Sequence, residues 1–116
     1  MLSSKLSAAL SPRSVAVIGA SSNPGSRGYY VWRSVTLSTG LERLWAVNPK
    51  YRFIGERPCF ADISKIPTDR IDLAILCVGR KHLPAALRQL AGKPPEAVLF
   101  APQEEGPLSD RFEIEE

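Results

Sequence analysis

Short apolar runs recur along the chain, separated by polar or glycine-rich breaks, and their spacing predicts two kinds of element. Ser14-Val-Ala-Val-Ile-Gly19 has no strongly polar interruption and ends on a glycine; it reads as a strand buried on both faces. Leu44–Val47, closed by Asn48-Pro49, reads as a second strand, Ile71–Val78 as a third, again apolar on both faces, and Ala97–Ala101 as a fourth. From Tyr29 to Ser38 the apolar side chains Val31, Trp32 and Val35 fall at helical intervals, and Gly40 supplies a stop. Pro84–Ala91 predicts a second helix, with proline in its first turn and Gly92 after its end. Tyr51–Thr68 has no clear period beyond a short helix near Ala61–Lys65, and Ser109 is placed to open a further helix.

The resulting order is β-α-β-(α)-β-α-β. Continuous apolar strands alternating with helices predict a mostly parallel sheet covered on both faces, a Rossmann-like three-layer α/β domain. In such sheets ligands bind outside the carboxyl ends of the strands. Here those ends are Gly19–Gly28, Asn48–Tyr51, Gly79–His82 and Pro102–Gly106, all rich in polar or conformationally special residues. Open sheets of this type usually carry a further strand, so the sheet is expected to stop before its last one. The 116 residues predict one domain, residues 11–106, between an N-terminal segment 1–10 and an acidic C-terminal segment 107–116.

Composition narrows the function classes. Apolar residues make up 44% and charged residues 23%, the mix of a soluble globular protein. The apolar runs are far shorter than the roughly 20 residues of a membrane helix. The start, MLSSKLSAAL, is interrupted by Lys5 and makes a poor signal peptide. Cys59 and Cys77 form no CxxC pair and are too few for a metal cluster, so a reduced, cytoplasmic protein without a metal site is expected. Residues 1–103 hold 14 basic and 6 acidic side chains, whereas residues 104–116 hold 1 and 6. A body at +8 attracts polyanions, either a phosphorylated cofactor or nucleic acid. The basic residues are scattered and no recognition motif accompanies them, so neither nucleic acid nor membrane is an expected partner.

The first loop carries the strongest signal. Gly19-Ala-Ser-Ser-Asn-Pro-Gly25-Ser-Arg-Gly28 joins a buried strand to a helix, where free amides and the helix dipole favour phosphate. Its spacing is GxxxxxGxxG, so the GxGxxG dinucleotide fingerprint is absent. After the second strand, NAD-binding domains usually place a carboxylate for the ribose. This chain has Asn48-Pro49-Lys50-Tyr51-Arg52 instead. Lys50 and Arg52 suit a phosphate on the adenosine ribose, the 2′-phosphate of NADP or the 3′-phosphate of coenzyme A.

Here a resemblance becomes specific. Pro12-Arg-Ser-Val-Ala-Val-Ile-Gly-Ala-Ser21, Pro24-Gly25, Gly28, Val47-Asn-Pro-Lys-Tyr51 and Gly55 resemble the CoA-binding domain of the NDP-forming acyl-CoA synthetases. That superfamily includes the succinyl-CoA synthetase α subunit and synthetase-like protein acetyltransferases. Pro67-Thr-Asp-Arg-Ile-Asp72-Leu-Ala-Ile fits its later "LP…vDLAvi" pattern, and the resemblance covers about residues 11–106. It implies coenzyme A, or an acyl-CoA, as cofactor. It implies a site built from Gly19, Ala20, Ser21, Ser22, Asn23, Pro24, Gly25 and Gly28 in the first loop, with Ser21–Gly25 on the phosphates and adenosine. Asn48, Pro49 and Lys50 belong to the second loop of that site, with Lys50 on CoA. Val78, Gly79 and Arg80 would line the pantetheine side, and Glu104 would stand for the family glutamate after the fourth strand. Two loops depart from the pattern: Gly79-Arg-Lys-His82 replaces proline or small apolar residues, and Ala101-Pro-Gln-Glu-Glu-Gly106 replaces a small-residue turn.

No catalytic residue is assigned. Family synthetases pass phosphate through a histidine of a later domain, and His82 does not match its position. Cys77 sits within an apolar strand, and no Ser/His/Asp arrangement or carboxylate pair appears. The expected function is therefore to hold CoA for an acyl-CoA synthetase or acyltransferase whose chemistry lies in further domains or a second subunit. An NADP-type domain of an oxidoreductase or redox sensor, and a non-enzymatic nucleotide-sensing module, are the alternatives.

Overall fold

The computed structural model describes residues 10–38 and 40–101. The elements are β1 (Ser14–Ile18), α1 (Arg27–Thr36), β2 (Arg43–Val47), β3 (Phe53–Ile54), β4 (Arg57–Phe60), β5 (Leu73–Leu76), α2 (Leu83–Gly92) and β6 (Ala97–Phe100), with 3₁₀ turns at Ile63–Lys65 and Arg80–His82. They form one sheet in the order β3-β4-β2-β1-β5-β6. The β3–β4 pair is antiparallel and the other pairings are parallel. This is the predicted Rossmann-like α/β domain.

β1 lies at the centre, with Val15 beside Leu44 of β2 and Leu73 of β5. All five of its residues are buried, as an uninterrupted apolar run requires. Its side chains alternate between faces. Val15 and Val17 pack with Trp32 of α1, whereas Ala16 and Ile18 pack with Ala86 and Leu90 of α2. The two helices therefore cover opposite faces, and burial of each large aliphatic contributes about 1.5–3 kcal/mol.

α1 begins two residues earlier than the apolar spacing predicts, because Ser26 caps it by accepting the Tyr29 amide at 3.3 Å. The segment Tyr51–Thr68, expected to be largely irregular, holds a hairpin: Phe53 pairs with Pro58 and Ile54 with Arg57 around Gly55 at φ +63°. β4 then extends the sheet beside β2, so the described sheet has six strands where the apolar runs predict four. The expected short helix near Ala61–Lys65 is a 3₁₀ turn capped by Asp62, whose side chain accepts the Ser64 amide. β6 is the predicted fourth strand, and its Val98, Leu99 and Phe100 are each about half exposed, at 50%, 53% and 49%. The helix expected after Ser109 lies outside the described residues.

The amino ends of β1 and β5 are tied by Asp72. Its buried carboxylate accepts the Arg13 amide at 2.9 Å, the Ser14 amide at 3.3 Å and Arg70 Nε at 2.9 Å. The Asp72 amide donates to Ser14 Oγ at 2.9 Å, closing the clamp.

Candidate functional site

The carboxyl ends of β1, β2 and β5 open onto three loops, residues 19–28, 48–52 and 77–82. They carry Arg27, Lys50, Arg52, Arg80 and Lys81 and not one carboxylate. Glu42, Asp72 and Glu96, each directly before a strand, lie at the opposite end, in ion pairs with Arg13 and Arg70, whereas Asp62 follows β4 at the carboxyl end. The three loops themselves thus present positive charge, as a multiply phosphorylated ligand requires.

The first loop owes its shape to two glycines. Gly19 has φ +94°, and a Cβ there would fall 2.2 Å from the Cys77 carbonyl oxygen. A Cβ on Gly28 would fall 1.9 Å from the Gly19 carbonyl oxygen. Helix α1 therefore rests directly on the end of β1 through Gly28, whereas Gly19 lets the chain leaving β1 pass close to the backbone that follows β5. Gly25 is different: its nearest neighbour to an added Cβ is Asn23 Oδ1 at 3.4 Å, and the residue is exposed.

The loop amides are largely engaged within the loop, where free amides at the helix start were expected. The Asn23 amide donates to Ser21 Oγ at 2.9 Å, Gly25 to Asn23 Oδ1 at 3.0 Å and Ser26 to the Asn23 carbonyl at 3.0 Å. The Tyr29 amide is taken by Ser26. What the loop presents is a rigid frame of side chains, with Ser22, Asn23, Pro24 and Arg27 exposed along it.

Two contacts fasten the second loop to the first. Asn48 Nδ2 donates to the Ala20 carbonyl at 2.9 Å, and Tyr51 Oη lies 3.1 Å from Ser21 Oγ. Asn48 Oδ1 also accepts the Lys50 amide at 2.9 Å, which sets the turn that carries Lys50 outward. Lys50 and Pro49 are exposed. The structure thus brings Ala20, Ser21 and Asn48 into one bonded unit. Tyr51, given no role by sequence reasoning, belongs to the same unit. Its position three residues beyond Asn48 within the Asn-Pro-Lys-Tyr motif was the available signal. Hydrogen bonds from the Ser21 and Ser22 hydroxyls, together with the Lys50 charge, hold the Tyr51 phenol below its usual range.

On the third loop Val78 is half-buried, Gly79 buried and Arg80 exposed. Gly79 precedes the 3₁₀ turn whose last residue, His82, starts α2 without a side-chain cap. Cys77 is buried, and burial pushes its thiol up to about 12 against a smaller opposing influence from Arg27. A thiol in that state is no nucleophile at neutral pH. Glu104 lies outside the described residues. Among the described residues no His, Cys, Asp and Glu side chains gather into a metal-binding group, and no helix is long and apolar enough to cross a membrane.

A cavity of about 500 Å³ opens at the other end of the sheet, lined by Leu10, Pro12, Val15, Val35, Leu41 and Leu73 among others. It offers an apolar wall at the amino ends of the strands, the wrong end and the wrong chemistry for a phosphorylated ligand.

Comparisons with known proteins agree with the geometry. Residues 13–112 match the family model described as CoA binding domain. The acetate–CoA ligase [ADP-forming] I of Archaeoglobus fulgidus is 39% identical over 88 residues, which are 76% of this chain and 12% of that protein. The α subunit of acetate–CoA ligase [ADP-forming] I of Pyrococcus furiosus is 34% identical over 76% of this chain and 20% of its own length. The chain thus spans a fifth or less of these curated relatives. Among solved structures, PH0766 from Pyrococcus horikoshii OT3 superposes with a TM-score of 0.77 at 27% identity, over 90% of this chain and 23% of that one. A conserved hypothetical protein from Pyrococcus furiosus gives 0.66 at 28% identity, over 89% of this chain and 86% of its own. The parallel sheet, the cationic loops at its carboxyl end and a family match over nearly the whole chain lead to one assignment: the protein belongs to the CoA binding domain family, and its cofactor is coenzyme A.

Proposed function

We propose that the chain holds the ADP moiety of coenzyme A between the loops Gly19–Gly28 and Asn48–Arg52, and delivers the thiol to chemistry carried out by further domains or a second subunit of an acyl-CoA synthetase. The observation that carries this reading is the bonded junction of these two loops, bearing cations and no carboxylate where an NAD site would place an acid. Ser22, Asn23 and Arg27 face the pyrophosphate, and Lys50, with Arg52 beside it, pairs with the phosphate on the ribose. Val78, Gly79 and Arg80 border the pantetheine arm. The chain's own residues bind and orient; the acyl transfer itself is supplied elsewhere. The small share of the ligases that this chain matches supports that division of labour.

Calorimetric titration with CoA, 3′-dephospho-CoA and NADP tests the reading. CoA is expected to bind best. Loss of the 3′-phosphate, or Lys50→Ala, is expected to cost about 1–3 kcal/mol, the range of a charge-assisted hydrogen bond. Tighter binding of NADP than of CoA would replace this function with a redox one. Formation of acyl-CoA by the isolated chain would refute the division of labour.

A further inference from the structure

The Tyr51 hydroxyl sits at the junction of the two loops with its hydrogen-bond capacity only partly used. Ser21 is buried, and its Oγ already accepts the Asn23 amide at 2.9 Å. A buried hydroxyl places its own hydrogen on an acceptor, and the acceptor within reach is Tyr51 Oη at 3.1 Å. With Ser21 donating, Tyr51 accepts at this contact, although either oxygen can donate. The Ser22 hydroxyl and amide and the Lys50 charge also act on the phenol, each favouring its ionised form. In that arrangement the phenolic hydrogen is free to meet a ligand. The ring itself is anchored, half-buried against the core beneath α1.

Two further facts locate what this hydrogen meets. The amides of Asn23, Gly25, Ser26 and Tyr29 are engaged within the loop, so these four are not free for a phosphate and side-chain donors gain weight. In Rossmann-like sheets the adenosine ribose is read by residues just beyond the second strand, and Tyr51 follows β2 by four residues. We propose that Tyr51 is a specificity-determining residue of this site, donating its hydroxyl hydrogen to the phosphate carried on the ligand's ribose, beside Lys50. The proposal rests on the CoA-binding reading above and extends it to a residue outside the loop contacts inferred from sequence. It also explains why an acidified phenol is useful there: a proton held less tightly makes a stronger donor to an anion.

Tyr51→Phe keeps the ring and its packing and removes only the hydroxyl. Calorimetry with CoA, 3′-dephospho-CoA and adenosine 3′,5′-bisphosphate on both proteins is the test, with thermal melts to confirm the fold. The variant is expected to bind CoA and the bisphosphate about tenfold more weakly, while 3′-dephospho-CoA changes by less than about twofold, as loss of one hydrogen bond to an anion predicts. Equal losses with all three ligands would show that Tyr51 merely holds the loops together. Unchanged affinity would show that it does not touch the ligand, and tighter binding that the ring obstructs it; each result overturns the proposal. If the wild-type chain binds the bisphosphate through Tyr51 but not CoA, the CoA reading fails and the role of Tyr51 survives. If CoA binds and the hydroxyl proves irrelevant, the reverse holds. Binding of neither overturns both.

Discussion

Replacing Asp72 with alanine tests the clamp at the amino ends of β1 and β5. The carboxylate is 8% exposed and accepts three donors. Without it the buried Ser14 amide loses an acceptor, the Arg13 amide must turn to water, and an anion is lost from between them. Stranding a buried donor costs about 1–3 kcal/mol, and a hydrogen bond to a charge contributes about 1.5–3 kcal/mol; the Arg13 amide is the most easily rehydrated, so the sum is about 2–4 kcal/mol. Against a domain stability of about 5–15 kcal/mol this is a large fraction. Arg70 is 59% exposed in its side chain, so Arg70→Ala is expected to cost clearly less than Asp72→Ala. Burial tends to raise the Asp72 pKa, but the Arg13 amide, Arg70 and the Ser14 amide outweigh it and the net direction is down. A depressed carboxyl stabilises fully above its unfolded value near 3.8, and that contribution is lost as the pH falls through the lower native value. Urea unfolding followed by circular dichroism, at pH 7 and at steps below pH 4, measures all of this. The gap between wild type and Asp72→Ala should narrow in the acid series, and CoA affinity at pH 7 should not change, because the ligand loops lie at the other end of the strands. A loss below about 0.5 kcal/mol for Asp72→Ala, or one no larger than that of Arg70→Ala, would refute the reasoning.

Gly28→Ala is expected to lower stability by about 1–3 kcal/mol and to weaken CoA binding with it, because a methyl 1.9 Å from the Gly19 carbonyl must push α1 off the first loop; unchanged melting and affinity in the same samples would contradict the packing role. With the Cys77 thiol pushed up to about 12 by burial, a thiol reagent at pH 8 should label it only after unfolding. Cys59, half-buried and also raised by burial, should react slowly in the native state, and equal labelling of both cysteines without denaturant would contradict this.

The fold was legible where one kind of force dominates. β1 and β5 are buried on both faces, and an unbroken apolar run has few other homes. The hairpin of β3 and β4 was not legible, because Phe53-Ile54 is two residues long and Arg57-Pro58 carries no apolar alternation; its strands exist through pairing with each other and with β2. β6 was legible as a strand, but its half exposure was not, because periodicity reports apolar character and not what lies across the sheet edge. At the site, residue type singled out the Gly19–Gly28 loop and the family resemblance added Asn48, which the structure bonds to Ala20. The reason for Gly19 and Gly28 was not, since the contacts that demand them, to the Cys77 and Gly19 carbonyls, come from a strand far along the chain and from across the loop. Tyr51 escaped for a similar reason: its partner Ser21 is thirty residues away.

The segregation of charge along the strands bears on how a ligand arrives. With ion pairs at one end of the sheet and the carboxylate-free loops after β1, β2 and β5 at the other, a polyanion approaching those three loops is turned while still in solution and docks phosphates first. The far end of such a ligand then trails outward, and capture slows as added salt shortens the reach of the field. Orientation would thus be settled during diffusion, before any contact forms.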